Sequence, residues 1–323
     1  MKYFRIILFV LGVFVIVSLG REVGWTVVWQ QLSALRWRLF LIFFLTIPKN
    51  IIFTFAWNSW LKVRGQKIPF WALFRFKIME SAVNSMSPLH VVGGDLIRIV
   101  LLKEYMLMRE ASSAVLLDRL SQIVSGAILI LVSLVFAAQF YSFSAGVLEK
   151  ALWIASIGCA LAASLFYFRH SLYAQWKTEW MGRWARFDHD SLSFIRGHPK
   201  IFASAVWWTF VGRLFSPLEI YFILSFLHFS GPATSFSIVL SGALNLITTI
   251  FTFVPGQIGV MEGGFALLFR LAGFSVALGL SCQLVRRINA LVWIAIGSLL
   301  LLVGRRPTIN ESEVWSKSPQ SVP

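Results

Sequence analysis

The chain has 323 residues, of which 58% are hydrophobic and only 13% are charged, and its mean hydropathy is +0.76. This composition excludes a soluble globular protein. It predicts an all-α polytopic membrane protein, because helices satisfy their own backbone hydrogen bonds in lipid. The net charge of +15 would suggest nucleic acid for a soluble protein. In a membrane protein it indicates basic cytoplasmic loops beside anionic headgroups, so we expect no nucleic-acid partner.

Hydropathy predicts about six full membrane spans, since a bilayer core takes about 20 apolar helical residues. In chain order the predicted spans cover residues 6–19, 39–61, 112–139, 150–168, 201–228 and 280–304. The first span resembles a signal peptide, but it lacks a small-x-small cleavage pattern, so we interpret it as a retained helix. The polar residues 305–323 form a predicted cytoplasmic tail.

Two other apolar stretches are interrupted in the middle and cannot each form one ordinary span. Residues 76–103 contain a Ser-Pro…Gly-Gly-Asp centre, and residues 233–273 contain a Pro-Gly centre. Broken backbone at membrane depth is tolerated only where it lines a cavity or is buried in protein. We therefore predict two re-entrant hairpins of half-helices, with these hinge residues: Pro88, Gly93, Gly94, Pro255, Gly256, Gly259, Gly263 and Gly264.

A fixed offset of 167 residues relates the two halves of the chain. The residues that recur at this offset are Pro88 with Pro255, Asp95 with Glu262, and Arg119 with Arg286. Span 201–228 matches residues 34–61 under the same offset. The sequence therefore predicts a duplicated unit, with repeats at about 34–139 and 201–304.

The distribution of Lys and Arg predicts how the repeats cross the membrane. The basic loops 62–77 and 169–200 are predicted to be cytoplasmic, and the link 140–149, which has no Lys or Arg, is predicted to be outside. The two hairpins then enter from opposite sides of the membrane. This predicts an inverted-topology repeat in the cytoplasmic membrane, with both termini in the cytoplasm.

Ten charged residues fall at or near the predicted membrane depth. The candidate headgroup ligands are Asp95, Arg98, Arg119, Glu262 and Arg286. The secondary charges are Glu80, Asp118, Arg213, Glu219 and Arg287. Each charge that faces lipid at mid-bilayer costs roughly 2.5–3.5 kcal/mol. Most of them must therefore face an aqueous cavity or pair inside the protein.

These charges have a structural and a functional interpretation. In the structural one they only pair, Asp95 with Arg119 or Arg286 and Glu262 with the other arginine. In the functional one they handle an anion, because a guanidinium matches phosphate and a half-helix that starts at a glycine break presents free N–H groups. Arg119 and Arg286 then bind phosphate, while Asp95 and Glu262 hold the arginines or carry a proton.

Enzyme signatures are missing from the sequence. There is no His-Glu-x-x-His, P-loop or Gly-x-Ser-x-Gly motif, and the Asp188-His189-Asp190 run is typical of a solvated loop. Cys159 and Cys282 both lie in apolar stretches, which indicates buried thiols rather than zinc ligands. We therefore expect no enzymatic activity, metal or cofactor.

Two longer motifs surround the hairpin centres. They read Pro88-x4-Gly93-Gly94-Asp95-x2-Arg98 followed by Ala114-Val-Leu-Leu-Asp118-Arg119, and Pro255-Gly256-x2-Gly259-x2-Glu262-Gly263-Gly264. Together they resemble the membrane region of lysylphosphatidylglycerol synthase/flippase proteins. The resemblance covers about residues 1–304 and implies a flippase-like helical domain with inverted repeats and a lipid-accessible cavity.

In the founding members of that family, this domain moves aminoacylated phosphatidylglycerol between leaflets after a fused cytosolic domain has made it. Because 323 residues leave no room for an aminoacyl-transferase domain, we expect the stand-alone form. The sequence departs from the family at Ser121-Gln122, where many relatives continue with glycines. It also has Val285 where a full repeat would duplicate Asp118.

Three functional hypotheses remain open at this point. The leading one is a translocator that moves an anionic or zwitterionic phospholipid, or a lipid-linked headgroup, by passive or ion-coupled transport. The second is a membrane-embedded transferase acting on a lipid-linked sugar, with Asp95 or Glu262 as base. The third is a non-catalytic membrane subunit that docks a separate synthase or glycosyltransferase through the basic loops.

Overall fold

A computed structural model describes residues 38–63, 67–86, 92–140, 194–252 and 254–303, together with six single positions between 26 and 37. The predicted spans 6–19 and 150–168, the hinge Pro88 and the tail 305–323 lie outside the described residues. Every regular element within the described ranges is a helix, which confirms the all-α prediction.

The helices are numbered here in chain order. They are α1 (Arg38–Val63), α2 (Phe70–Met86), α3 (Val92–Leu102), α4 (Met108–Phe140), α5 (Pro199–Arg213), α6 (Phe215–Phe226), α7 (Ala233–Ile250), α8 (Val260–Leu271) and α9 (Val276–Val303). A short 3₁₀ turn, Pro255–Gln257, lies between α7 and α8.

Five helical stretches in the described part of the chain are long and apolar enough to cross a membrane. They are Arg38–Val63, Glu110–Gln139, Pro199–Phe226, Ala233–Ile250 and Val276–Val303. The protein is therefore a multi-pass membrane protein, as the hydropathy predicts. Ala233–Ile250, which the sequence predicts to be half of a hairpin, is by itself long enough to cross a membrane.

The predicted span 201–228 matches the helical stretch Pro199–Phe226. This stretch is interrupted at Leu214, between α5 and α6. The cause is Pro217 in the first turn of α6, because a proline ring clashes with the carbonyl group four residues earlier, here that of Arg213. Helix α5 consequently ends at Arg213 and leaves its side chain at the break.

Both hairpins contain one short helix that follows a break. Helices α3 and α8 have 11 and 12 residues, or about 17 Å at 1.5 Å per residue, which is too short to cross a bilayer core. Gly93, Gly94 and Asp95 lie in the first turn of α3 rather than in an unwound centre. In the second hairpin Gly259 caps α8 with φ of 81°, a conformation that suits only glycine.

Each half packs one of its helices against a helix of the other half. Helix α2 packs along α9, and α7 packs along α4. Under the 167-residue offset α2 corresponds to α7 and α4 to α9, so one type of contact is made twice. This pattern is what a two-fold relation between the halves would produce, while the inversion of one half across the bilayer stays a prediction.

A glycine allows close approach in each exchanged contact. A Cβ atom on Gly297 of α9 would lie 2.6 Å from Ala82 Cβ and 2.7 Å from the carbonyl oxygen of Ile78, both on α2. Gly242 of α7 contacts the side chain of Ser133 on α4 in the same way. The Ser133 hydroxyl also donates to the Ile238 carbonyl at 2.8 Å. The two glycines therefore allow α9 to lie directly against α2 and α7 directly against α4.

Candidate functional site

A cavity of about 750 Å³ lies between the two halves. Residues from α1, α2, α4, α6, α8, α9 and the turn at 256–258 line it. Its charged lining residues are Lys49, Lys77, Glu80, Arg119, Glu219, Glu262, Arg286 and Arg287. Cations thus outnumber carboxylates by five to three, which favours an anionic occupant.

Beside the cavity, Arg98 of α3 is fully buried among three carboxylates. Its Nη1 lies 2.6 Å from Asp118 Oδ2, its Nη2 2.8 Å from Asp95 Oδ1 and its Nε 3.2 Å from Glu80 Oε2. The guanidinium also lies over the Trp57 ring at 4.9 Å. A buried guanidinium requires such pairing, so Arg98 joins α2, α3 and α4 rather than facing a ligand.

Arg119 and Lys77 complete this group. Arg119 binds Asp95 through two bonds, with Nη2 at 2.7 Å from Oδ1 and Nε at 3.1 Å from Oδ2. Lys77 Nζ lies 2.8 Å from Glu80 Oε2 and 3.7 Å from Asp118 Oδ2. We call Lys77, Glu80, Asp95, Arg98, Asp118 and Arg119 the first charge cluster. It contains three cations and three acids and is balanced.

Lys77 corrects one sequence-based assignment. It was counted in the basic loop 62–77, but it lies within α2 and is only 5% exposed. Burial is possible because Glu80 pairs with its ammonium group and Asp118, which lies 41 residues later in the sequence, also faces it. Arg75 also lies in α2, so the predicted loop is shorter and carries fewer cations than the prediction supposed.

The beginning of α3 is fixed by Asn84 of α2. Its Oδ1 accepts a hydrogen bond from the Gly94 N–H at 2.9 Å, and its Nδ2 lies 3.5 Å from Glu80 Oε1. A Cβ atom on Gly94 would lie 2.5 Å from that Oδ1, so a larger residue would displace the Asn84 side chain. Gly94 therefore serves close approach in the first hairpin.

Glu262 has the matching role in the second hairpin. Its Oε2 accepts from the Gly259 N–H at 2.8 Å, and its Oε1 accepts from Arg287 Nη2 at 2.7 Å and Nε at 3.0 Å. Arg287 Nη1 also donates to the Gly256 carbonyl at 2.8 Å. Residues adjacent on a helix point in different directions, so Arg287 faces Glu262 and Arg286 does not. The predicted pairing of Glu262 with Arg119 or Arg286 is therefore wrong.

Arg286 faces a different acid, Glu219 of α6. Its Nε lies 3.5 Å from Glu219 Oε2, and its guanidinium lies over the Phe265 ring at 5.6 Å. Asn289 Nδ2 donates both to Glu219 Oε1 and to Thr46 Oγ1, each at 3.0 Å. This polar group joins α1, α6 and α9.

Sequence reasoning missed one lining cation, Lys49 of α1. Its ammonium group makes no hydrogen bond or ion pair with any described residue, although it lines the cavity. The feature that could have identified it is a lysine beside Pro48 in the middle of an apolar span. Such a residue must face protein or water, as the other intramembrane charges do.

Arg213, a predicted secondary charge, does not line the cavity. It donates to the Gln122 carbonyl at 2.6 Å, to Ser125 Oγ at 2.9 Å and to Asn245 Oδ1 at 3.3 Å. These bonds attach the break after α5 to α4 and α7. Asp95, Arg98 and Asp118 likewise lie outside the cavity lining, whereas Glu80, Arg119, Glu219, Glu262, Arg286 and Arg287 belong to it.

The predicted hinge glycines differ in conformation. Gly256 and Gly259 have positive φ angles of 59° and 81°, while Gly263 and Gly264 lie within α8. Pro255 begins the 3₁₀ turn. The described ranges contain no group of three His, Cys, Asp or Glu residues that could hold a metal ion.

Comparison with known proteins adds one match. A family model described as the lysylphosphatidylglycerol synthase TM region matches residues 5–297. No curated protein and no solved structure matches the chain. The match covers nearly the whole sequence and agrees with the apolar helices, so it associates the protein with membrane lipids. The chain belongs to the lysylphosphatidylglycerol synthase transmembrane-region family.

Proposed function

We propose that this protein is a lipid translocator, which moves a phospholipid or lipid-linked headgroup between the leaflets of the cell membrane. The observation that carries the proposal is the cavity between the halves, in which cations outnumber acids within a set of membrane-spanning helices. A polar cavity at membrane depth gives a headgroup a path that lipid alone does not offer.

The cavity also reaches the apolar surface of the protein. Leu291 and Ala290 of α9 line the cavity, and both are exposed, Leu291 at 57%. The cavity is therefore an open groove beside α9 rather than an enclosed chamber. A headgroup can occupy the polar part while the acyl chains stay in the bilayer, and no covalent step is needed.

In this proposal the two hairpins are the parts of the protein that move between the two states of the transport cycle. Each short helix is held by one acid near its start, which binds an arginine of another helix: Asp95 binds Arg119 and Glu262 binds Arg287. The side chains of Asp95, Arg119 and Arg287 are 20–26% exposed. In this proposal the two ion pairs are therefore close enough to the cavity to exchange partners. Movement is passive or ion-coupled, and the termini are cytoplasmic in this proposal.

Lipid translocation in proteoliposomes tests the proposal. Purified wild type, Asp95→Asn and Arg119→Ala are compared with Glu104→Gln, an exposed acid outside the cavity, at equal melting temperature. We expect wild type and Glu104→Gln to move headgroup-labelled phospholipid, and the two hairpin variants to move it at least tenfold more slowly. A well-folded wild type that moves none of several labelled lipids would refute the proposal.

A further inference from the structure

We propose that Lys49 of α1 is the site at which one proton binds and leaves in each transport cycle, so that the lipid moves together with a proton. This inference rests on the proposed function, because it assumes that the protein moves a lipid with an anionic headgroup. It adds which ion drives the movement and which residue carries that ion. It also assigns the proton to a residue that the repeat does not duplicate, since the 167-residue offset places Ser216 at the position of Lys49.

Lys49 is the one cation of the cavity lining that has no carboxylate partner among the described residues. The other four cations of the lining each face an acid. The pairs are Lys77 with Glu80, Arg119 with Asp95, Arg286 with Glu219, and Arg287 with Glu262. Lys49 therefore adds a positive charge that the described part of the protein does not balance.

The chemistry of these cations also distinguishes Lys49. Arginine stays protonated in proteins, whereas a lysine side chain can give up its proton. Lys77 is held by two carboxylates, those of Glu80 and Asp118, and is only 5% exposed. Lys49 is partly exposed and lines the cavity, so water in the cavity can reach it. It is thus the cation of the lining that can exchange a proton with this water.

The charged groups around Lys49 decide when its proton leaves. The charges that act on it directly are those of Glu219 on α6, Arg286 on α9 and Arg213 on α5. Other ionisable groups that line the same cavity are Lys77 and Glu80 of α2 and Arg119 of α4. Because Glu219 already faces Arg286, the ammonium group of Lys49 is costly in an empty cavity and is balanced when an anionic headgroup enters.

The resulting cycle has a loaded step and an empty step. In the loaded step Lys49 is an ammonium group, whose charge balances that of the headgroup. After the headgroup has left, one N–H bond of the ammonium group breaks, the proton passes to water and the electron pair stays on Nζ. The empty cavity then returns with a neutral amine. One proton accompanies each singly charged headgroup, so the net charge that crosses the membrane is zero.

The acids of the two hairpins are less suited to carry the proton. Both oxygens of Glu262 are occupied, since Oε2 accepts from the Gly259 N–H and Oε1 accepts from Arg287. Both oxygens of Asp95 accept from Arg119. Protonation of either acid would weaken the bonds that hold its short helix. Loss of a proton from Lys49 breaks no bond to a described residue.

The position of Lys49 within α1 couples its charge to the shape of the helix. Pro48 lies inside α1 and has no N–H group to donate to the carbonyl of Phe44, so the helix bends most easily beside Lys49. Helix α1 packs against α2 and α4 of the first half and against α5 and α6 of the second. A bend at Pro48 would therefore move the two halves relative to each other.

A pH gradient across proteoliposomes that contain the full-length protein tests the proposal. The probe is phosphatidylglycerol with a fluorescent label on one acyl chain, and an impermeant quencher reports how much of it is in the outer leaflet. The lumen contains a pH-sensitive dye and is one pH unit more alkaline than the outside. The variants are Lys49→Gln, which is always neutral, and Lys49→Arg, which is always charged. Lys62→Gln is the matched control, a lysine of the same helix that is exposed and outside the cavity.

We expect the wild type and Lys62→Gln to accumulate the labelled lipid about tenfold in the inner leaflet, because one pH unit is a tenfold difference in proton concentration. Lys49→Gln and Lys49→Arg should not accumulate it, since neither side chain exchanges a proton. The dye should report lipid-dependent proton entry only for the wild type and Lys62→Gln. Melting temperatures should be equal, because Lys49 has no partner to lose among the described residues.

Several results would overturn the proposal. If the wild type moves lipid but distributes it equally under the gradient, proton coupling is wrong and the translocator stands. Tenfold accumulation by Lys49→Gln would place the proton elsewhere, and tenfold accumulation by Lys49→Arg would show that position 49 needs only a fixed charge. If protons enter in a Lys49-dependent way without lipid movement, the translocator is wrong and the proton site stands. Absence of both movements would refute both.

Discussion

Arg98 Nη1 lies 2.6 Å from Asp118 Oδ2, and neither side chain is more than 2% exposed. The pair joins the short helix of the first hairpin to the long helix α4. Asp118→Asn should lower the free energy of unfolding by about 3–5 kcal/mol, because it leaves Arg98 buried with one fewer negative charge. Thermal unfolding in detergent measures the change.

Glu104→Gln is the control for this prediction, since Glu104 is exposed in the turn after α3. It should leave the melting temperature unchanged. A melting temperature of Asp118→Asn equal to that of Glu104→Gln would show that the buried pair contributes nothing to stability.

Glu262 performs two separable tasks, and two substitutions should separate them. Glu262→Gln removes the charge that binds Arg287 but keeps an oxygen that can accept from the Gly259 N–H. Glu262→Ala removes both. The alanine variant should therefore be about 1 kcal/mol less stable than the glutamine variant, which is the usual value of a helix N-cap bond. Parallel thermal melts measure this difference, and identical melting temperatures would mean that the cap at α8 does not contribute.

Gly94→Ala should destabilise the first hairpin by about 1–3 kcal/mol, the usual cost of overpacking. The new methyl group would displace the Asn84 side chain and break its bond to the Gly94 N–H. Asn84→Ala removes the obstacle, so the double variant should cost less than the sum of the single variants. Gly197→Ala is the control, because a Cβ atom there meets nothing within 4 Å. Strict additivity of the two substitutions would contradict the proposed contact.

The inverted topology predicts that the C-terminal ends of the two hairpins face opposite sides of the membrane. Cysteines placed at Lys103, after α3, and at Ser275, before α9, report these ends, since both positions are exposed. In a Cys159→Ser background, a membrane-impermeant maleimide should label Ser275→Cys from outside and Lys103→Cys only from the cytoplasmic side. Cys282 is fully buried and should not react. Labelling of both positions from one side would exclude the inversion.

The helices of the described ranges were largely predictable because their determinants are local. Span 39–61 became Arg38–Val63, and the short helices α3 and α8 begin beside the predicted glycines Gly93 and Gly259. The break at Leu214 was missed, although Pro217 carried the information. Hydropathy alone does not place a helix break within an apolar run.

The partners of the charged residues were not predictable in the same way. Asp118 and Arg119 are neighbours in α4 with separate partners, Arg98 and Asp95. Arg286 and Arg287 are also neighbours, and only the rotation of α9 decides which of them faces Glu262. A repeat offset can be wrong by one residue at a given position. On a helix with 3.6 residues per turn, that error changes the direction of the side chain by about 100°.

The contact between Ala82 of α2 and Gly297 of α9 also affects how the protein is made. At a synthesis rate of 5–20 residues per second, α9 leaves the ribosome roughly 10–40 s after α2. During that interval α2 lies in the membrane without the helix that covers it in the finished protein. The first hairpin must therefore insert into the membrane and stay there with contacts from its own half of the chain alone. The cavity forms only after α9 has been inserted.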